Sequence, residues 1–367
     1  MALAYQILAL ICLARFFRAP NLPRALSPGP GVTIFKPLKG LDPSTRECLL
    51  SFLTQDYHPY QVLFGVEDPD DPVLPLLEEL KQAFPHLEVE IHTCPEALGL
   101  NPKISVLRQL ETRARYDLLV IADGDVKVEA DFLSRLVPAL NDPAVGLVCC
   151  PYRAGETKTL GAHLEALTIA ADFIPSVAVA SAVAPVRFAL GATMAMPRQV
   201  FRRIGGFLPL ADFLADDYQL GWRVAQAGFK VLLLPYVVET QSPWMSFKDY
   251  LAHQLRWGRT YRVCRPKGYL AYGITHALIY NAAFLLASGW APAALGLLAA
   301  TLALRWGLAC FSERLCLQGV LPWKAFLLLP VKDFLSFGFW LLSFLGNRVT
   351  WKNARFRVSP EGKLVPL

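Results

Sequence analysis

Apolar residues are arranged along this chain in two ways. Between residues 30 and 235 they come in short runs: "VTIF" (32–35), "QVLFGV" (61–66), "LEVEI" (87–91), "DLLVIA" (117–122), "VGLVCC" (145–150) and "KVLLLP" (230–235). Runs this short, β-branched and bounded by turn residues predict strands. Helix-length polar segments separate the early ones. Ser44–Gln55 is an example, with Ser44 placed to cap and Glu47 three positions on to complete a capping box. Strands alternating with helices, and apolar on both faces, predict an α/β region: a mostly parallel sheet covered by helices on both faces. In such sheets ligands sit beyond the carboxyl ends of the strands.

Near the ends the apolar residues form long, almost uncharged blocks. Met1–Phe17 is about long enough to span a thin bilayer or to span at a tilt. It lacks the basic start and small-residue cleavage site of a removable signal, and so reads as an anchor. Leu270–Gly289, Ala291–Phe311 and Ala325–Gly346 are three further blocks. The expected divisions are an anchor (1–24), a soluble α/β domain (25–245), an interfacial helix (246–269), membrane helices (270–346) and a basic tail (347–367). Arg15, Arg18 and Arg24 place the α/β domain on the cytoplasmic side, and Arg348, Lys352, Arg355, Arg357 and Lys363 place the tail there too. Three full spans cannot join two cytoplasmic segments, so one block is expected to be interfacial or re-entrant. Lys332 and Asp333 inside the last block are expected to pair or to face protein. Within the α/β region the uncharged stretch 167–185 reads either as a buried core helix or as a lipid-facing lip, with His163 and Glu165 as neighbouring polar groups.

Composition sharpens the membrane reading. Of 367 residues, 54% are hydrophobic and only 18% charged, and the mean hydropathy of +0.36 lies on the apolar side of soluble domains. The net charge of +6 suits an anionic membrane surface or a phosphate-bearing ligand. No dense basic run with interleaved aromatics points to nucleic acid. Eight cysteines, none in a CxxC pair, predict reduced thiols, no structural zinc and a cytoplasmic setting.

The residues that follow the strands are acidic. "EDPDDP" (67–72) follows one, "DGDVKV" follows another with Asp123 and Asp125 two apart, and "LADDYQL" puts Asp216 and Asp217 at an expected helix start. Acidic turn residues are ordinarily solvated or capping, and Asp216 fits an N-cap. The D-x-D differs because an apolar strand delivers two carboxylates to the ligand-binding edge. Two carboxylates plus substrate phosphate oxygens suit Mg²⁺ or Mn²⁺. There is no GxxxxGK[ST], which excludes a P-loop, and no dinucleotide fingerprint. One further stretch, "HQLRWGRT" (253–260), puts histidine, arginines and tryptophan beside an apolar block, as a membrane-surface belt does.

The ordered series VEDPDDP, NPK (101–103), YDLLVIADGDVKV, LADDYQ and the RW of HQLRW resembles the ceramide glucosyltransferase family over about Phe35 to Arg262. The wording of HQLRWGRT is similar to its bacterial branch associated with hopanoid lipids. The resemblance implies a GT-A fold, the nucleotide-diphospho-sugar transferase type. It also implies inverting transfer from a UDP-sugar to a membrane-lipid acceptor, in a bacterial inner membrane. On this pattern Asp68 reads the uridine end, and Asp123 lies on the donor with Asp125 completing the metal pair. Asp217 is the general base, and Asp216 stands where relatives carry glutamate. Arg256 and Trp257 match the family's Q/R-x-x-R-W, whereas position 253 is His rather than Gln or Arg. Lys103, just before a helix, is placed to meet the pyrophosphate. The physics agrees: inversion needs one base and no covalent intermediate, and an arginine suits a leaving diphosphate. On the helix, His253 and Trp257 share one face, as do Arg256 and Thr260, while Arg259 and Arg262 are assigned to the membrane belt. The alternatives are a processive polysaccharide synthase and a non-catalytic membrane lipid-binding protein.

Overall fold

The computed structural model describes residues 1–18, 24–25, 28–351 and 354–367. Ten strands lie between residues 32 and 240: β1 (Val32–Leu38), β2 (Tyr60–Val66), β3 (Glu88–Thr93), β4 (Leu118–Ala122), β5 (Val126–Lys127), β6 (Val145–Cys149), β7 (Tyr152–Ala154), β8 (Thr193–Pro197), β9 (Lys230–Leu233) and β10 (Val238–Thr240). All six apolar runs are therefore strands. Seven of the ten form one sheet in the order β3-β2-β1-β4-β8-β6-β9. The pairs β1–β2, β1–β4, β2–β3 and β6–β9 are parallel. Val32, Ile34, Phe35, Val62, Phe64 and Val120 at its centre have no exposed surface, as expected of strands covered on both faces.

The hydropathy pattern did not predict β8. Its sequence, TMAMP, holds one β-branched residue, two methionines and an alanine, yet it pairs antiparallel with both β4 and β6. Its propensity is poor. Burial decides the matter: Met194, Ala195 and Met196 are all but inaccessible, and packing on both faces outweighs intrinsic preference. Because β8 runs against β4, it begins where β4 ends, with Thr193 opposite Ala122. That places the loop before β8 at the same sheet edge as the D-x-D.

The capping reading of Ser44 also needs correction. The helix spans Thr45–Leu53, and Ser44 has helical backbone angles and makes no cap hydrogen bond. Instead the Asp42 N–H donates to Thr45 Oγ1 at 2.9 Å, and the Glu47 carboxylate pairs with Lys127. The Thr45 hydroxyl thus takes the capping contact one residue later, and Lys127 draws Glu47 away from the position a capping box needs.

By packing, the chain forms two compact units. One comprises Pro20–Tyr152 and Pro185–Gln241, which contains the sheet; the other comprises Met1–Ala19, Arg153–Ala184 and Ser242–Leu367. Residues 153–184, which hydropathy leaves within the 25–245 region, thus pack with the terminal helices. Among the described residues, three helices of that second unit are long and apolar enough to cross a membrane: Leu160–Val183, Pro292–Cys316 and Trp323–Ser343. The first of these contains most of the stretch 167–185, and Ile169, Ala170, Ala171, Ile174 and Ala178 on it are buried. It runs through a π turn at Ile169–Phe173, just before Pro175, whose missing N–H and ring bulk disfavour a regular α turn. It ends before Pro185, with Ala184 extended, the conformation a following proline favours.

The remaining apolar block, Leu270–Gly289, is not straight: Pro266–Thr275 and Ala277–Ala287 meet at 51°. Ala2–Phe17 is a shorter apolar helix. The basic tail carries a small three-stranded sheet. Arg348–Trp351, Ala354–Val358 and Leu364–Pro366 pair as antiparallel strands; Lys352 lies outside the described residues.

Candidate active site

The site is built on the carboxyl edge of the sheet. After β4 the chain turns back through Asp123-Gly124-Asp125, and the Val126 N–H donates to the Asp123 carbonyl at 3.2 Å. The same carbonyl accepts a 2.5 Å hydrogen bond from Lys36 Nζ, which reaches up from β1. Lys36 is fully buried, with its ammonium 4.1 Å from the centre of the Phe52 ring. Burial pulls its pKa down to about 8, against the pull of Asp125 and Asp123 in the other direction. On the far side of the turn β5 pairs with β10, and the Gln241 N–H donates to the Asp125 carbonyl at 2.9 Å. The D-x-D turn is therefore held through its backbone.

A lysine joins this turn to the second acidic pair. Asn101 caps the helix Pro102–Leu110 by accepting from the Ile104 N–H, and its own amide donates to the Phe213 carbonyl at 2.8 Å. Lys103, in the first turn of that helix, lies 2.6 Å from Asp123 Oδ1 and 3.2 Å from Asp216 Oδ2. Burial alone would lower its pKa, but Asp123, Asp216 and Asp217 overcome that and hold it above the ordinary lysine range. Lys103 is thus a permanent cation at neutral pH.

Asp216 and Asp217 open the helix Asp216–Gln226. The N-cap is Ala215, so Asp216 is not the cap; its buried carboxylate faces Lys103 and the Asn101 amide. Asp217 points elsewhere. It accepts from the Tyr218 N–H at 2.7 Å and lies against Gly191, where a Cβ would come within 3.0 Å of its Oδ2. Burial and then the Asp216 charge push the Asp217 carboxyl up to about 7, with Lys103 pulling the other way. A carboxyl poised near neutral pH suits a general base. Withdrawal from water and then the Asp123 charge likewise push the Asp125 carboxyl upward, and its exposed surface moderates the first of these.

Asp68 lies apart from this cluster in its bonding. It is exposed after β2 and accepts from the Asp70 N–H at 2.9 Å. Its neighbour Asp71 is buried and accepts from the Gly40 N–H through both oxygens, at 3.1 and 2.9 Å. That bond ties together the loops after β1 and β2. Lys36 is a support that the sequence reading did not single out, and Asn101 and Asp71 lie within motifs it quoted without a role of their own. The available signals were a lysine inside a strand run and an Asn-Pro at a helix start.

In the other unit, HQLRWGRT lies within the helix Phe247–Cys264, capped by Ser246. His253 Nδ1 is 3.1 Å from Glu165 Oε1 without the alignment of a hydrogen bond. Gln254 donates to the other oxygen of that carboxylate at 2.8 Å. The Trp257 ring packs on His253 at 4.5 Å and on Phe173 at 5.6 Å. Thr260 bonds the Arg256 carbonyl at 2.8 Å. Arg259 and Arg262 are not simply belt residues. Arg259 donates to the Arg348 carbonyl, and Arg262 to Asn347 and to the Gly346 carbonyl. They fasten the tail, because a guanidinium supplies several donors where a turn exposes carbonyls.

The chain is similar to known proteins in sequence and in fold. The sequence profile described as glycosyl transferase family 21 matches residues 1–364. The chain is 26% identical to ceramide glucosyltransferase 3 of Caenorhabditis elegans over 241 residues, 62% of this chain and 50% of that protein. It is 38% identical to the ceramide glucosyltransferase of Komagataella phaffii over 116 residues, 30% of this chain and 23% of that one. The chain thus spans half or less of the length of these curated relatives. Among solved structures it resembles a mannosyltransferase, PcManGT of Pyrobaculum calidifontis, in complex with GDP-Man and Mn²⁺. The TM-score is 0.57 at 20% identity, covering 93% of this chain and 94% of that one. At this identity the likeness concerns the fold, which is GT-A-like.

Proposed function

The chain belongs to glycosyl transferase family 21, and from that premise we propose that it moves a sugar from a UDP-sugar to the hydroxyl of a membrane lipid, with inversion at the anomeric carbon. The observation that carries this reading is Asp217. Its carboxyl is pushed up to about 7 and is grouped through Lys103 with the D-x-D turn. A base of that strength takes the acceptor's proton as its oxygen attacks.

The residues present fit a divalent cation. Asp125 is raised partly by the Asp123 charge, and two like charges held at one turn are relieved by a cation. Among the described residues there is no cluster of three histidines, cysteines or carboxylates that could hold a metal by itself. Asp123 and Asp125 would therefore share Mg²⁺ or Mn²⁺ with the donor's phosphates, as Mg²⁺ sites commonly do. When bound, such an ion offsets charge on the leaving diphosphate.

Lys103, fixed in charge, serves the pyrophosphate side, and exposed Asp68 serves the uridine end. Arg256 in this reading offsets the leaving group's charge with Trp257 setting its helix face, while His253 borders the donor. The α/β unit faces the cytoplasm of a bacterial inner membrane, and the acceptor is a ceramide-like or hopanoid lipid. The test is the purified full chain with a panel of UDP-sugars and membrane lipid extracts, and mass spectrometry of the products. One hexose added to a lipid supports the reading. A long polysaccharide, or no transfer from any donor, overturns it.

A further inference from the structure

The tail sheet carries an arginine face that the transfer chemistry above does not use. In the strand pair Arg348–Trp351 and Ala354–Val358, Arg348 stands opposite Arg357 and Thr350 opposite Arg355. Side chains alternate across a strand, so these four share one face, and all four are exposed. The other face carries Val349, Phe356 and Val358, with Leu364 opposite Val358. Val349, Val358 and Leu364 are buried. The apolar face thus holds the sheet to the protein, and the arginine face is left open.

Two like charges directly opposite each other cost a sheet stability. The chain itself offers these arginines no relief. Among the described residues no ion pair engages Arg348, Arg355 or Arg357. Glu361 is the single acid between Phe334 and Leu367, and it is engaged by Ser359 and Lys363. An anion from outside, set against the opposed guanidinium groups, would remove the repulsion, and arginine grips phosphate with two donors at once.

The neighbourhood of the face says where that anion comes from. The strand begins four residues after the membrane-length helix Trp323–Ser343. The last turn of that helix runs on to Leu345, whose N–H donates to the Leu342 carbonyl at 3.1 Å. Leu341, Leu342, Phe344 and Leu345 are between 41% and 79% exposed there, an apolar collar suited to acyl chains. Arg259 and Arg262 fasten the junction through the Arg348 and Gly346 carbonyls, and the Arg262 guanidinium lies 5.8 Å from the centre of the Phe344 ring. The sheet is therefore held beside the end of the helix, where a bilayer presents its phosphates.

We propose that this face seats the phosphate of an anionic phospholipid in the leaflet that the end of the helix meets, with Arg348 and Arg357 gripping it from opposite strands and Arg355 beside them. The lipid is a boundary ligand, distinct from any sugar acceptor, and its binding does not depend on the transfer reading.

The experiment uses the full chain in phosphatidylcholine nanodiscs that hold a minority of phosphatidylglycerol with a photoreactive headgroup. Labelling should map to residues 344–367, and unlabelled phosphatidylglycerol should compete where added phosphatidylcholine does not. An arginine at a charged surface changes affinity roughly fivefold. Arg355→Gln joined with Arg357→Gln should therefore lower tail labelling about twentyfold, and raised salt should lower it in the parent. A retained thermal midpoint shows that the joint variant is folded. Lys324→Gln, at the other end of the same helix, should leave tail labelling unchanged. Labelling that maps elsewhere, survives in the folded joint variant, or falls as far in Lys324→Gln overturns the proposal. Removal of the label by UDP as effectively as by phosphatidylglycerol would assign the face to a soluble diphosphate and overturn it too. Tail labelling without sugar transfer upholds this seat and overturns the transferase reading. Transfer with labelling unchanged in the joint variant does the reverse.

Discussion

Lys103 Nζ lies 2.6 Å from Asp123 Oδ1, and through it one ammonium ties the D-x-D turn to the acidic start of the helix Asp216–Gln226. The same charge restrains Asp217, whose carboxyl is raised to about 7 by burial and by Asp216 and pulled back by Lys103. A general base acts only when ionised, so kcat/KM should climb as pH rises through about 7. Lys103→Met removes the restraint, and the climb should then move to higher pH. The apparent value belongs to the coupled carboxylates as a set. An unmoved profile in a variant that still binds UDP would separate Lys103 from the base.

Asp217→Asn should keep UDP-sugar binding and lose roughly 10²–10⁴ in turnover, the scale of a positioned general base. Asp216→Asn should lose less turnover. It should lose more thermal stability, because it leaves buried Lys103 with one carboxylate fewer. Measured kcat and melting midpoints give both rankings. If Asp216→Asn proves the slower enzyme, the base is the other member of the pair.

Chelator should abolish transfer, and either Mg²⁺ or Mn²⁺ should restore it. Asp125→Asn should need more metal for half-maximal rate, since one of the two carboxylates is gone. Full activity in excess chelator would remove the metal from Asp123 and Asp125.

Lys36→Met should cost activity without costing stability. The Asp123 carbonyl keeps the Val126 N–H as a partner, the Val126 carbonyl loses only a long 3.5 Å contact, and a buried charge is removed. The D-x-D turn meanwhile loses the 2.5 Å ammonium contact that fixes it. Turnover should fall about tenfold or more, as expected when a reacting geometry loosens, with the melting midpoint unchanged or higher. A large drop in the midpoint would make Lys36 a structural residue first.

Arg256→Lys should fall short of restoring Arg256→Ala, because an ammonium cannot reproduce the planar two-donor grip on a diphosphate. The loss should appear in kcat more than in the UDP-sugar KM. Detergent micelles with a short-chain acceptor remove membrane docking from the comparison. Arg256→Ala as active as the parent there would confine HQLRWGRT to anchoring. Arg259→Ala should instead loosen the tail, read as faster proteolysis near Arg348.

The local pattern of residues determined six of the ten strands between residues 32 and 240, and that acidic turns follow the carboxyl ends of two of them. Short apolar runs followed by acidic turns are enough for that, because side-chain periodicity and turn chemistry act within a few residues. It placed Asp123, Asp125 and Lys103 as candidates, but neither the ammonium's bond to Asp123 nor the shift at Asp217 is a local property. Lys103 reaches Asp123 from a separate helix 20 residues earlier, and the Lys103 and Asp123 charges reach Asp217 from 114 and 94 residues away. Tertiary packing alone decided that TMAMP is a strand, since burial on both faces outweighs its weak propensity. It also joined residues 153–184 to the terminal helices, where Asp172 meets Arg305 and Lys332. Hydropathy registers the cost of those charges one segment at a time; the partners that offset it come from other helices, which only the folded chain assembles.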